Sequence, residues 1–257
     1  IRSFQNDCMK KQFFIFLLSL LPCTIMAQRG MNRPYIDDKI FHFGFSLGVN
    51  FMDYSFQNVP QPLTGAIKDA QDMPTDLENA YIHTRCSYMV PGFTVGFIAD
   101  VRLCRYLNLR LIPQLHFADR EFYYKYETVN DNGEWIESPD QYKTTLLSIP
   151  IAIPLELKWS AERYGNLRPY CTIGGGVSYN CLEDRKKPLI PKRLDYFMEI
   201  GAGCDFYFSW FKLCPLIKYQ LGFANLAPEH YPQGEPLNSA AISRMRSHAI
   251  CIVFNFE

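Results

Sequence analysis

The sequence predicts an all-β fold, an eight-stranded antiparallel transmembrane β-barrel with long extracellular loops and short periplasmic turns. Three observations lead there. Eight segments place large apolar residues at every second position. No window after residue 27 approaches the roughly 18–20 consecutive apolar residues of a membrane-spanning helix. The connections between the alternating segments are long and short by turns.

The first segment, Phe41–Phe51, sets the pattern. Phe41, Phe43, Phe45, Leu47, Val49 and Phe51 alternate with His42, Gly44, Ser46, Gly48 and Asn50. A period of two gathers the large residues on one face of a strand. Strands of soluble sheets usually run about 5–6 residues, whereas a tilted strand needs roughly 9–11 to cross a bilayer. The second run is Phe93–Leu103, with Asp100 and Arg102 on its polar face, and the third is Leu107–Phe117, with Arg110 and His116. Leu147–Leu157 is the fourth, carrying Glu156 and continuing to Lys158. Arg168–Cys181 alternates more weakly, with Ile173, Val177 and Tyr179 opposite Thr172, Gly174, Gly176 and Ser178. Asp195–Phe208 carries Glu199 and Asp205 opposite Met198 and Ile200. The last two runs are Phe211–Gly222 and Arg246–Phe256, the latter with Ile250, Ile252, Phe254 and Phe256 on one face. Prolines at 113, 150, 154, 169 and 215 remove ladder donors, and bulges near 113 and 150–154 are the expected accommodation.

The connections 52–92, 119–143, 182–194 and 223–245 are long, whereas those near 104–106, 160–167 and 209–210 are short. That asymmetry is typical of outer-membrane barrels; with the N-terminus in the periplasm, the long loops face outward. A short helix is expected near Leu63–Gln71. Phe41, Tyr106, Trp159, Tyr170, Trp210, Phe211 and Phe256 fall at one set of strand ends. Phe51, Tyr54, Phe122, Tyr124, Tyr142, Tyr179, Tyr196 and Phe223 fall at the other, giving the two aromatic girdles of membrane interfaces.

The N-terminus reads as an export signal. Met9-Lys10-Lys11 is followed by the apolar run Phe13–Leu21 and by Ile25-Met26-Ala27 before a cleavage point. A lipoprotein signal using Cys23 is the alternative, disfavoured by Pro22. Residues 1–27 are therefore an upstream extension plus signal peptide, 28–40 a periplasmic tail, and 41–257 the barrel. Processing leaves 23 basic and 25 acidic residues, with no polybasic run for nucleic acid. Seven cysteines remain, without metal-ligand spacing. They read as small apolar side chains. Parity places Cys214 and Cys251 on the inner faces of neighbouring strands, which leaves a disulfide between them open.

The inner face collects Asp100, Glu156, Asp195, Glu199 and Asp205 against Arg102, Arg110, Lys158, Lys212, Lys218 and Arg246. Eight strands enclose a lumen just wide enough to be filled by side chains, where opposite charges must pair. A packed, salt-bridged plug is expected, with an ion path as the alternative. The carboxylates Glu199 and Asp205 lack a nucleophile or oxyanion site. His42 and Ser46 share a strand, but on the inner face away from lipid; His116 and His248 are read as inner-facing too. Gly174-Gly175-Gly176 lies within a strand, so it is not a phosphate loop. No catalytic, cofactor or metal residues are assigned, and no enzyme is expected.

The block Asp37-Asp38-Lys39-Ile40-Phe41-His42-Phe43-Gly44-Phe45-Ser46-Leu47-Gly48-Val49-Asn50, followed by Met52-Asp53, resembles the opening strand of PorT-like outer-membrane barrels of Bacteroidetes-type bacteria. Leu147-Ser148-Ile149-Pro150, Arg168-Pro169-Tyr170, Glu199-Ile200-Gly201-Ala202-Gly203 and the ending Arg246-Ser247 to Phe254-Asn255-Phe256-Glu257 fit as well. The resemblance implies an accessory role in type IX protein secretion, with outer-membrane lipid and other secretion components as partners. It implies no catalytic residues. An adhesion or ligand-binding barrel acting through its outer loops is the alternative.

Overall fold

A computed structural model describes residues 30–58, 63–66, 76–86, 90–129, 135–137, 142–181, 191–227 and 242–257. The export signal lies outside them. Among the described residues, thirteen strands follow one turn of 3-10 helix at Ile36–Asp38. They are β1 (Phe41–Asn58), β2 (Leu63–Ala66), β3 (Asp76–Cys86), β4 (Pro91–Arg102), β5 (Leu107–Leu111), β6 (Gln114–Val129) and β7 (Trp135–Glu137). Then come β8 (Tyr142–Ser148), β9 (Pro150–Ser160), β10 (Leu167–Asn180), β11 (Leu194–Tyr207), β12 (Lys212–Gly222) and β13 (Ile242–Phe256).

Eight staves close into a ring: β1, β4, β5 with β6, β8 with β9, β10, β11, β12 and β13. Antiparallel pairing of β1 with both β4 and β13 completes it, with Phe45 opposite both Phe97 and Phe256. Closure leaves no edge of unpaired backbone groups in the ring, which is the condition for crossing a membrane with strands. No helix among the described residues is long and apolar enough to do so.

The alternation read from the sequence is the alternation of the wall. In β9, Ile151, Ile153, Leu155, Leu157 and Trp159 point outward, while Ala152, Glu156 and Lys158 are buried. Phe43 is 73% exposed and Phe97 75% exposed. A belt of such residues around a closed ring fits a lipid environment and not water. From Ile151 to Trp159 it rises about 20 Å for a strand tilted by about 40°. The belt ends where outward residues turn polar: Asp119 and Glu121 follow Phe117 on β6, and Thr145 and Lys143 precede Leu147.

Several expectations need correction. No bulge occurs at the prolines near 113 and 150–154. Gly96 pairs with Gln114 and Ala99 with Leu111, without a shift across Pro113. Leu155 with Leu111, Ala152 with Gln114 and Ser148 with Ala118 likewise keep one register. The ladder loses donors but gains no residue. The Ile112 amide donates to the Pro154 carbonyl at 3.2 Å, so the donor missing at 154 faces the stave already interrupted at Pro113. The register shift in β1 lies instead at Gln57/Asn58. Strands also run further than the alternation showed: β1 continues to Asn58 and β6 to Val129, inside the connections expected at 52–92 and 119–143. Leu63–Ala66 is a strand paired with β3, not a helix; residues 67–71 lie outside the described set.

Two of the expected girdle positions hold exposed tryptophan, Trp159 and Trp210, and Tyr179, Tyr196 and Phe223 are exposed at the other end. Tyr170, Tyr54 and Phe122 are buried instead. Tyr170 has the inward parity of Thr172, and its ring fills the space over Gly203, where a Cβ would lie 2.6 Å from it. Tyr54 and Phe122 stack at 6.1 Å with Phe56 edge-on to Phe122. The Tyr124 and Tyr142 side chains fall outside the described set.

Candidate functional site

The lumen is the place where this chain concentrates chemistry, so it is the candidate site. Inward parity on the staves supplies its side chains, and a charge there must find a partner because burial strips away water. At the short-turn end Arg110 donates from Nε to Asp100 at 2.6 Å and from Nη2 to Glu257. Lys212 reaches Glu257 at 2.5 Å and Asp205 at 4.0 Å. Lys158 donates to both oxygens of Asp205, at 2.7 and 2.6 Å, and sits 4.0 Å above the Tyr170 ring. The Tyr170 hydroxyl donates to the Pro215 carbonyl at 3.1 Å. Three cations thus interlock with three carboxylates, their side chains all nearly inaccessible to solvent. Higher in the lumen one cation serves two acids: Lys218 lies 3.1 Å from Glu199 and 3.3 Å from Glu156.

Above this tier the contacts change character. The Asn50 side-chain amide donates to Thr94 Oγ1 at 2.8 Å, and Thr94 Oγ1 lies 2.9 Å from His116 Nδ1. The Arg120 guanidinium lies 3.8 Å over the Tyr54 ring and donates to the Met52 sulfur at 3.4 Å. Asp195 accepts from the Ser247 hydroxyl and from the Ala224 amide.

The N-terminal segment packs across the short-turn mouth. Both oxygens of Asp37 accept from the Tyr207 hydroxyl at 2.9 Å, and Arg168 and Arg163 approach Asp37 at 3.5 and 3.8 Å. Ile36 is buried, its carbonyl 2.8 Å from His42 Nε2. The Asn32 amide donates to Asn166 Oδ1 at 2.8 Å, and Arg33 donates to the Trp210 carbonyl at 3.3 Å. Asp38 pairs with Arg102 at 3.2 Å. Asp37, Asp38 and His42 of the first-strand block are thus used in holding this segment over the mouth.

Most of the charges read from the sequence as inward do face the lumen. Arg102 is a rim residue, partly exposed beside Asp38. Arg246 and His248 are corrected: they share the parity of the exposed Ile250, not of the buried Cys251, and His248 approaches Asp53 at 3.7 Å. Cys214 and Cys251 are both free and buried. Cys214 lies opposite Asn255 and Cys251 opposite Lys218, an offset of four residues or about 13 Å along the strands, too far for a bridge. Ser46 is buried and His42 is engaged with Ile36. Gly174–Gly176 lies inside β10. Sequence reasoning missed Glu257 and Tyr170; extending the parity of β13 by one residue and applying that of β10 would have placed both inside.

A family model described as the outer membrane protein beta-barrel domain matches residues 26–227. Two solved structures are among the matches. Neisserial surface protein A is 8% identical with a TM-score of 0.40, and the match covers 84% of this chain and 98% of that one. A Pseudomonas aeruginosa FadL homologue is 9% identical with a TM-score of 0.23, over 85% of this chain and 89% of the other. No curated protein matches the chain. The family match spans most of the sequence, and with the closed ring and its apolar belt it gives the assignment: the chain belongs to the outer membrane protein β-barrel domain family and resides in the outer membrane.

Proposed function

We propose that this barrel is a non-enzymatic accessory component of protein secretion of the type IX kind, and that cargo does not pass through it. The observation that carries this reading is the filled lumen: interlocked buried ion pairs, with residues 30–40 laid across the short-turn mouth. Such an interior suits a scaffold and leaves no route for a polypeptide. The resemblance of the first-strand block to PorT-like barrels supplies the secretion context. Contacts to other secretion proteins and to lipid would then be made by the outer wall and the long connections. Deleting the gene and measuring secreted protein tests this. Loss of secretion with accumulation of cargo in the periplasm is expected, and unchanged secretion overturns it.

One observation favours a second reading, adhesion or ligand binding. Strands β3, β6, β7 and β8 pair with one another beyond the polar turn at Asp119, extending the sheet past the apolar belt. Excising residues 130–141 while the barrel still assembles separates the two. Ligand binding is lost with secretion intact under this second reading only.

A further inference from the structure

A polar chamber lies inside the barrel toward the long connections, with a volume of about 40 Å³. Arg120 is 5% exposed, and neither its Nε nor its Nη1 has a hydrogen-bond partner among the described residues. Its Nη2 meets only the Met52 sulfur, and no carboxylate oxygen of a described residue lies within ion-pairing distance of it. His116, 1% exposed, has its Nε2 without a partner. Thr94 Oγ1 accepts from Asn50 and lies 2.9 Å from His116 Nδ1. In the tautomer in which Nδ1 accepts the Thr94 proton, Nε2 is an N–H donor. The carboxylate on the wall, Asp195, is engaged by Ser247 and the Ala224 amide; Asp53 accepts from the Tyr54 amide at 2.7 Å. Lys192 and Arg193 stand at the opening, where Arg193 donates to the Tyr179 hydroxyl at 3.2 Å.

We propose that this chamber is a binding site for a small oxyanion such as inorganic phosphate, held by the Arg120 guanidinium and His116 Nε2. Asp53 and Asp195 act on Arg120 only from beyond ion-pairing distance, and a buried cation with no carboxylate in contact is costly. An arginine presenting two unfilled N–H directions matches an oxyanion's paired oxygens. A volume of about 40 Å³ is roughly three water positions at 10–15 Å³ each. That suits a four-oxygen ion and excludes a headgroup carrying glycerol.

The test is calorimetric titration of the folded full-length barrel, in non-ionic detergent and phosphate-free buffer, with inorganic phosphate. One ion per barrel is expected, with affinity falling at least about tenfold in R120Q. R105Q, altering an exposed arginine at the short-turn end, should bind as the parent does. Should R120Q fail to show the boiling-sensitive gel mobility of a folded barrel, H116F carries the same expectation. Glycerol phosphate, standing for a lipid headgroup, should bind more weakly than phosphate; equal or tighter binding overturns the assignment to a free ion. Absence of binding to the parent barrel, or unchanged affinity in the chamber variants, overturns the site itself.

Discussion

At the short-turn end of the lumen Arg110, Lys158 and Lys212 lie against Asp100, Asp205 and Glu257, every cation within 4.0 Å of a carboxylate. At the opposite end Arg120 rests on the Tyr54 ring and the Met52 sulfur. Both arginines are removed from water on neighbouring segments of one stave, ten residues apart, and both sit on the inward face. The difference is in what removing them leaves behind. In the lower network every cation is paired with a carboxylate, so each member is held by the penalty of stranding the others. Arg120 makes no ion pair with a described residue, and Asp53 and Asp195 act on it only from a distance, which marks the upper chamber as a place with capacity for a ligand.

The largest effect should come from breaking the lower network. Arg110→Met leaves Asp100 and Glu257 buried without their common partner, and about 3–5 kcal/mol of stability should be lost. Denaturant unfolding of the folded barrel in detergent reads it; a loss under about 1 kcal/mol would mean that the network carries little.

This network also shows how far the sequence could be read. Parity along eight runs supplied the ring, the lipid face and nearly every lumen charge, because a period of two is a local property of each strand. It missed what depends on distant segments. The N-terminal residues 30–40 were read as a tail, yet Asn32, Asp37 and Asp38 find partners on turns and strands far along the chain. Prolines suggested bulges because a lost donor is visible in sequence, whereas the continuous register across Pro113 is fixed by the neighbouring staves. The chamber was invisible for the same reason: Arg120 lay in what read as a loop, and that no described carboxylate comes into contact with it is a fact of packing.

A smaller effect is expected where the N-terminal segment crosses the mouth. Asp37→Asn weakens its contacts with Arg163 and Arg168 while retaining one oxygen for Tyr207, costing about 1 kcal/mol. Trypsin cleavage after Lys39 in the folded protein should accelerate, with the barrel itself uncut. Unchanged cleavage would mean that Asp37 does not hold the segment.

Arg120→Met should change stability by less than about 1 kcal/mol in phosphate-free buffer, since it breaks no ion pair with a described residue. Added phosphate should then raise the melting temperature of the parent and not of the variant. A loss as large as that of Arg110→Met would erase the contrast between the two ends.

The smallest effect lies beyond the apolar belt, between β6 and β8. There Lys143 lies 2.6 Å from Glu121, and its hydrogen bond holds that carboxyl below the usual carboxylate range. A depressed folded value means that the pairing contributes above the unfolded value and is lost as pH falls through the folded one. Hydrogen exchange at the Glu121 and Tyr123 amides should therefore quicken, relative to the barrel core, only below the ordinary carboxylate range. The same acceleration at pH 7 in K143M would confirm the cause, and identical exchange in parent and variant would remove it.

The central claim is that the lumen is filled by its own side chains and acts as a scaffold. Electrical recording from the purified, folded barrel in planar bilayers tests it most directly. Insertion without resolvable conductance steps is the predicted result, and a sustained open current carried by the unaltered protein would contradict it.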